Sequence, residues 1–344
     1  MLHRVRRPWA VMVVVAVTGL AVTTALTAGD RIGAHPSVSA PSATGPASVD
    51  SGSTSPTGTA DPSTGPTLGP SLEPVTESPP PKPALLPGGR HRVFGGNRFL
   101  VAYYGTAGTG ALGVLGETDP DTATRRLARA AAPFRRPGQP IQLVYELIVT
   151  VADAYPGKDG SYSHDIARDQ VRRYIRAAHR HGALVVLDLQ PGRSHFLAVA
   201  KRWEWALRDP WVGLALDPEW RMGPHQVPAR VIGSVSAREI NRTTAWLAAL
   251  TRRERLPQKL LLLHQFRTSM IRDIGDLRTH PELAMVQHVD GFGTQGQKLD
   301  TYHAVLRPHL LIPGFKLFYD EDIHRMGPVA VHAIRPKVRF VSFQ

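Results

Sequence analysis

Between Arg98 and Phe343 a short apolar run recurs eight times, each time giving way to polar residues and then to a longer helical pattern. The runs are Arg98–Tyr104, Ile141–Glu146, Leu184–Asp188, Val212–Asp217, Lys259–His264, Val289–Gln295, Phe315–Asp320 and Val338–Phe343. Near-continuous apolar runs suit strands of a parallel sheet whose two faces are both covered. Helical stripes lie between them, at Thr122–Ala132, Asp165–Arg180 and His195–Leu207. Ser236-Ala-Arg-Glu239 adds a capping box that opens a helix through Leu250. Eight strands alternating with helices over about 250 residues predict an α/β fold, a closed (β/α)8 TIM barrel. The competing doubly wound open sheet would bind a nucleotide after its first strand, but the glycine-rich stretch Gly105–Gly116 lacks the dinucleotide fingerprint.

The chain has 344 residues, and its beginning is of another kind. Arg4, Arg6 and Arg7 precede an uncharged apolar stretch from Pro8 to Gly29. Residues 1–29 therefore read as a signal peptide or a membrane anchor, long enough to meet a bilayer. Ser, Thr, Pro, Gly and Ala dominate from His35 to Gly89. Such a segment has too little apolar surface to offset the entropy of ordering, so residues 30–92 are expected to form a disordered Ser/Thr/Pro-rich linker. The barrel, residues 93–344, is then expected outside the cytoplasmic membrane, secreted or held there by the N-terminal segment.

Composition removes several function classes. With no cysteine there is no disulfide framework, iron–sulfur cluster, thiol nucleophile or lipidated N-terminal Cys. A formal charge of +13 favours anionic polymers or surfaces. No zinc-finger spacing, RNP signature or basic run with interleaved aromatics joins it, so no nucleic-acid partner is expected. Gly-x-Ser-x-Gly and a phosphate loop are also missing. No cofactor and no metal are expected. A metal-dependent hydrolase would need several ligands, yet His-x-His and His-Glu-x-x-His are absent and only His264 closes a run.

Chemistry concentrates where the apolar runs end, which in such a barrel is the active-site face. Three apolar residues followed by an acid or imidazole recur at Glu146, Asp188, Asp217, His264 and Asp320. A carboxylate appended to an apolar strand costs desolvation unless it is paired or used, and several on one rim mark a functional site. Asp217 and Glu219 are two apart, so an extended chain points both to one face. One carboxyl kept protonated by the other can act as a general acid. Glu219, Asp217, Glu146, Asp188 and Asp320 are thus the candidate catalytic residues. Tyr103, Tyr104, Trp220 and Tyr319 offer rings to stack on sugars, and Tyr145 is a further one. Gln190, His264, Gln265 and Gln295 offer hydrogen bonds to hydroxyls. Trp203, Trp205 and Trp246 sit in helical patterns and read as core.

The stretch Val212-Gly-Leu-Ala-Leu-Asp-Pro-Glu-Trp220 resembles the fourth-strand motif of the chitinase and endo-N-acetylglucosaminidase family of glycoside hydrolases. Gly213, Leu214, Asp217, Glu219 and Trp220 fit it, while Val212 and Ala215 replace its first two acids. The resemblance implies that Glu219 protonates the glycosidic oxygen and that Asp217 assists the substrate's acetamido group. More broadly, the chain resembles secreted actinobacterial proteins with a glycoside-hydrolase-like barrel. The expected function is an exported glycoside-hydrolase-like barrel acting on a polysaccharide or cell-wall glycan. The alternatives are a catalytically silent carbohydrate- or wall-binding barrel and, less favoured, a metal-dependent hydrolase.

Overall fold

A computed structural model of the protein describes residues 83–344. The signal or anchor segment and most of the linker lie outside the described residues. Eight parallel strands close into a barrel: β1 (Phe99–Thr106), β2 (Ile141–Ala152), β3 (Leu184–Leu189), β4 (Val212–Leu216), β5 (Lys259–Gln265), β6 (Leu283–Val289), β7 (Ile312–Leu317) and β8 (Phe340–Phe343). Each strand pairs with its sequence neighbours, and β1 pairs with both β2 and β8.

Helices cover the outside: α1 (Pro120–Ala131), α2 (Arg168–His181), α3 (Phe196–Arg202), α4 (Glu204–Leu207), α5 (Ala237–Arg253), α6 (Gln295–Val305) and α7 (Pro328–Ala333). Their starts follow the expected chemistry. The Asp119 side chain accepts the N–H of Thr122 at the head of α1, and Ser236 accepts that of Glu239 at the head of α5. At the tail of α2, Gly182 takes the left-handed conformation (φ 65°) that turns the chain into β3. Between β5 and β6 the expected helix is replaced by two 3-10 turns and by Ile271–Arg272, which pairs with Val235–Ser236.

Side-chain alternation sorts the strands into two cores. Residues facing outward, such as Val101, Leu187, Leu214 and Leu261, join the helices in the larger cluster. Inward residues form the smaller one, with Leu100, Ala102, Val144, Val186, Ala215, Leu262, Val286 and Phe340 filling the lower barrel. Leu86 and Val93 plug its floor. The linker boundary expected at residue 92 therefore moves upstream, because Leu86 is buried where a disordered tail would leave the barrel floor open.

The sixth and seventh strands differ from expectation. β6 is Leu283–Val289, one strand length upstream of the predicted Val289–Gln295. Gln287 and His288 interrupt the apolar pattern there, although both are fully buried. β7 ends at Leu317, so the chain has already left the sheet at Asp320.

Candidate active site at the barrel mouth

Above the apolar layers, each strand or strand end places one polar side chain on the inner face. Tyr104, Glu146, Asp188, Asp217, His264, His288, Lys316 and Ser342 supply this layer, one from each strand or strand end, and all are buried. Three neighbouring pairs share register, Tyr104 with Glu146, His264 with His288 and Lys316 with Ser342, while Glu146 stands opposite Val186, two residues below Asp188. Period-two geometry puts them on the inner face once the residues below them point inward.

Two imidazoles converge on one carboxylate. His264 Nε2 lies 2.9 Å from Glu146 Oε1, and His288 Nδ1 lies 3.1 Å from the same oxygen. His264 donates from Nδ1 to Asp290 Oδ2 at 2.8 Å, and Ser342 Oγ lies 2.9 Å from His288 Nε2. The two imidazoles outweigh the cost of burial and hold Glu146 well below the usual carboxylate range. His264 is pushed well up by the acids around it despite burial, whereas burial pulls His288 down.

The other acids respond in the opposite sense. Burial raises Asp188 to about 6. Tyr104 donates its O–H to Asp188 Oδ2 at 3.0 Å, and Gln190 in turn donates to the Tyr104 oxygen at 3.3 Å. Burial, reinforced by the neighbouring charge of Glu219, lifts Asp217 well above its ordinary value. Glu219 follows β4 in the 3-10 turn Pro218–Trp220 and rises to about 7, through burial first and the Asp290 charge second. Near neutral pH the pair thus holds protons that free carboxylic acids would have lost.

The turn carrying Glu219 is anchored from behind. Arg221 Nε donates to Glu239 Oε1 at 3.0 Å, and the same carboxylate accepts the N–H of Phe196 at 3.0 Å and lies 3.0 Å from His195 Nδ1. The expected capping box is therefore only half made, since Ser236 caps α5 while Glu239 ties α5 to the loops after β3 and β4. Met222 N–H donates to Gly192 O at 2.7 Å, joining the same two loops.

Of the predicted site residues, Glu146, Asp188, Asp217, Glu219, Tyr104, Gln190 and His264 come together. The others do not. Asp320 is exposed in the loop beyond β7, outside the carboxylate cluster, because the strand ends three residues earlier. Tyr103 faces outward and is buried against Tyr319 and Phe343, its hydroxyl 3.4 Å from that of Tyr319. Tyr319 is half-buried, with Arg325 over its ring. Tyr145 also faces outward and bonds Thr124. Gln265 is on the outer face too, accepting from Gln287 at 2.6 Å. Gln295 is the exposed first residue of α6 and donates to His324 O, because the chain there is loop and helix rather than strand. Tyr104 is in the site but has no free face, since Lys316 Nζ sits 3.5 Å from its ring centroid. Trp220 is half-buried in the Glu219 turn, and Trp203 is core as expected.

His288, Asp290, Lys316 and Ser342 were not anticipated. The usable signal was polar residues at alternate positions in apolar runs, as in Phe315-Lys-Leu317 and Val286-Gln-His-Val289. His288 also removes the ground on which a metal site was set aside, for two histidines, not one, end strands.

No family model matches the chain, and no curated protein is similar to it. Among solved structures, dihydrodipicolinate synthase from Bacillus clausii is similar over 71% of this chain and 67% of that one, at 11% identity and a TM-score of 0.33. That likeness is too remote to bear on the site. No helix among the described residues is long and apolar enough to cross a membrane.

Proposed function

We propose that the barrel is an extracytoplasmic glycosidase-type hydrolase of a polysaccharide or cell-wall glycan, working by carboxylate acid–base chemistry. The observation that carries this reading is the Asp217–Glu219 pair, two acids at the end of one strand whose protons are retained toward neutral pH. Glu219, half-buried at the mouth, gives its proton to the glycosidic oxygen as the C–O bond breaks. Water then completes the cleavage, its proton passing to a carboxylate. Asp188, near 6 and oriented by Tyr104, is the acid best placed to take it. Burial and the Asp290 charge keep Glu219 protonated, and Asp217, by the family resemblance, supports an acetamido group.

A silent glycan-binding barrel is the second reading. It is favoured by the burial of Glu146, Asp188 and Asp217, each at most 1% exposed. The purified protein should be incubated with peptidoglycan, chitin-type oligomers and α-glucans, and the Glu219→Gln variant alongside it. New reducing ends with the parent, falling about 10²–10⁴-fold in the variant, support the hydrolase. Binding without any product would decide for the silent barrel.

A further inference from the structure

We propose that Glu146, His264 and His288 form a site for one divalent first-row transition-metal ion, with zinc the best fit. This goes beyond the acid–base reading and does not depend on which bond the barrel cleaves. His264 Nε2, His288 Nδ1 and a Glu146 carboxylate oxygen all lie within 4.8 Å of one another, with the shorter separations 2.9 and 3.1 Å. Ligand atoms each bonded at ~2.0–2.2 Å to a shared zinc ion stand at comparable separations.

Three features of the surroundings point to an ion. All three side chains are fully buried, yet both Glu146 oxygens, His264 Nε2 and His288 Nδ1 make no well-formed hydrogen bond. Their ligand atoms face one another through ion-pair contacts alone, at 2.9 and 3.1 Å, the arrangement a shared ion would bridge. The far nitrogens, by contrast, are held, His264 Nδ1 by Asp290 and His288 Nε2 by Ser342. Outer partners of this kind fix the tautomer of a metal-ligating imidazole and turn its free nitrogen to the ion. Finally, the carboxyl groups of Asp188, Asp217, Glu219 and Asp290 line the same mouth, so an ion held by the three residues would face an acidic wall.

The donor set also selects the class of ion. Two imidazoles and one carboxylate suit zinc and its first-row neighbours, whereas magnesium and calcium prefer all-oxygen shells. Asp188 Oδ1, 3.9 Å from His264 Nε2 and without a hydrogen-bond partner, is the next donor in line. Zinc held there would supply a Lewis acid for a bound water or a substrate oxygen.

The test uses untagged, chelator-stripped protein titrated with zinc by calorimetry. One equivalent should bind, raise the melting temperature and give an X-ray absorption spectrum with two imidazoles at ~2.0–2.1 Å. Glu146→Gln and His288→Gln, checked for fold by circular dichroism, should weaken uptake by about 100-fold or more. If either variant fails to fold, the spectrum of the zinc-loaded parent decides by itself. Absence of stoichiometric uptake, a spectrum without imidazole, or binding undiminished in both folded variants would overturn the proposal. Glycan cleavage is read separately, so zinc uptake without hydrolysis leaves the site standing, and hydrolysis without uptake leaves the acid–base reading standing.

Discussion

Asp290 Oδ2 lies 2.8 Å from Nδ1 of His264, so Nδ1 is held as a donor to that carboxylate while Nε2 faces Glu146. One carboxylate in the loop after β6 thus decides which nitrogen of a β5 residue is available at the barrel mouth. Asp290→Asn keeps the shape but removes the charge that holds the ring. We expect zinc affinity to fall about 10- to 100-fold with the fold intact. Calorimetry beside a thermal melt checks this, and unchanged affinity would make Asp290 a bystander.

A pH profile addresses Glu219. As a general acid it must carry its proton, and its environment raises it to about 7. Hydrolysis should be full below that value and decline as pH climbs through it, the reverse of what an ordinary carboxylate acting as a base would give. An acid limb from a second carboxylate belongs to the pair, not to Glu219 alone. A rate that rose steadily to pH 9 would remove Glu219 from the role.

Glu239 is expected to be structural. Its carboxylate sits between Arg221, His195 and the Phe196 N–H, with little exposure on either side of the Arg221 pair. Replacing it by Ala leaves a guanidinium and an amide without partners, at a cost of about 3–5 kcal/mol. Chemical denaturation would measure this, and a loss under about 1 kcal/mol would mean that water takes the place of the carboxylate.

Lys259 tests the barrel's lower end. Its ammonium is buried, donates to the Asp209 and Val212 carbonyls at 3.0 and 2.7 Å, and is lowered by burial to about 7. The unfolded chain binds this proton up to about 10.4, so between about 7 and 10.4 it holds more proton than the native state. Stability from this group therefore rises with pH across that window, by at most about 1.4 kcal/mol per pH unit. Subtracting the profile of Lys259→Met isolates the effect, and two parallel profiles would show that Lys259 stays charged.

The floor plug gives a boundary prediction. Leu86 and Val93 pack on the inner core, and Trp211 Nε1 donates to Leu85 O at 2.8 Å. Limited proteolysis should leave a fragment that begins upstream of Leu85, and Leu86→Ala should cost about 2–3 kcal/mol. A stable fragment starting at Val93 with unchanged melting would argue that the plug is dispensable.

The apolar runs determined the architecture by themselves. Strands buried on both faces need unbroken apolar stretches, so β1 to β5 and β8 were legible as Leu, Val and Ala runs, and a run ending in Asp217 or His264 announced the active face. β6 was not legible in the same way, because Gln287 and His288 are polar and yet buried, each bonded to a partner far along the chain, such as Val305 and Ser342. Which acids share a site was a matter of register. Glu146, Asp188 and Asp217 fall on inward positions, whereas Tyr103, Tyr145 and Gln265 fall one residue off and face the helices. A single residue flips a side chain through the sheet, and the pairing of each strand with its neighbours carries that phase around the barrel. The convergence of His264 and His288 on Glu146 likewise exists only once the barrel is closed, since the three lie on β5, β6 and β2 and share no local motif.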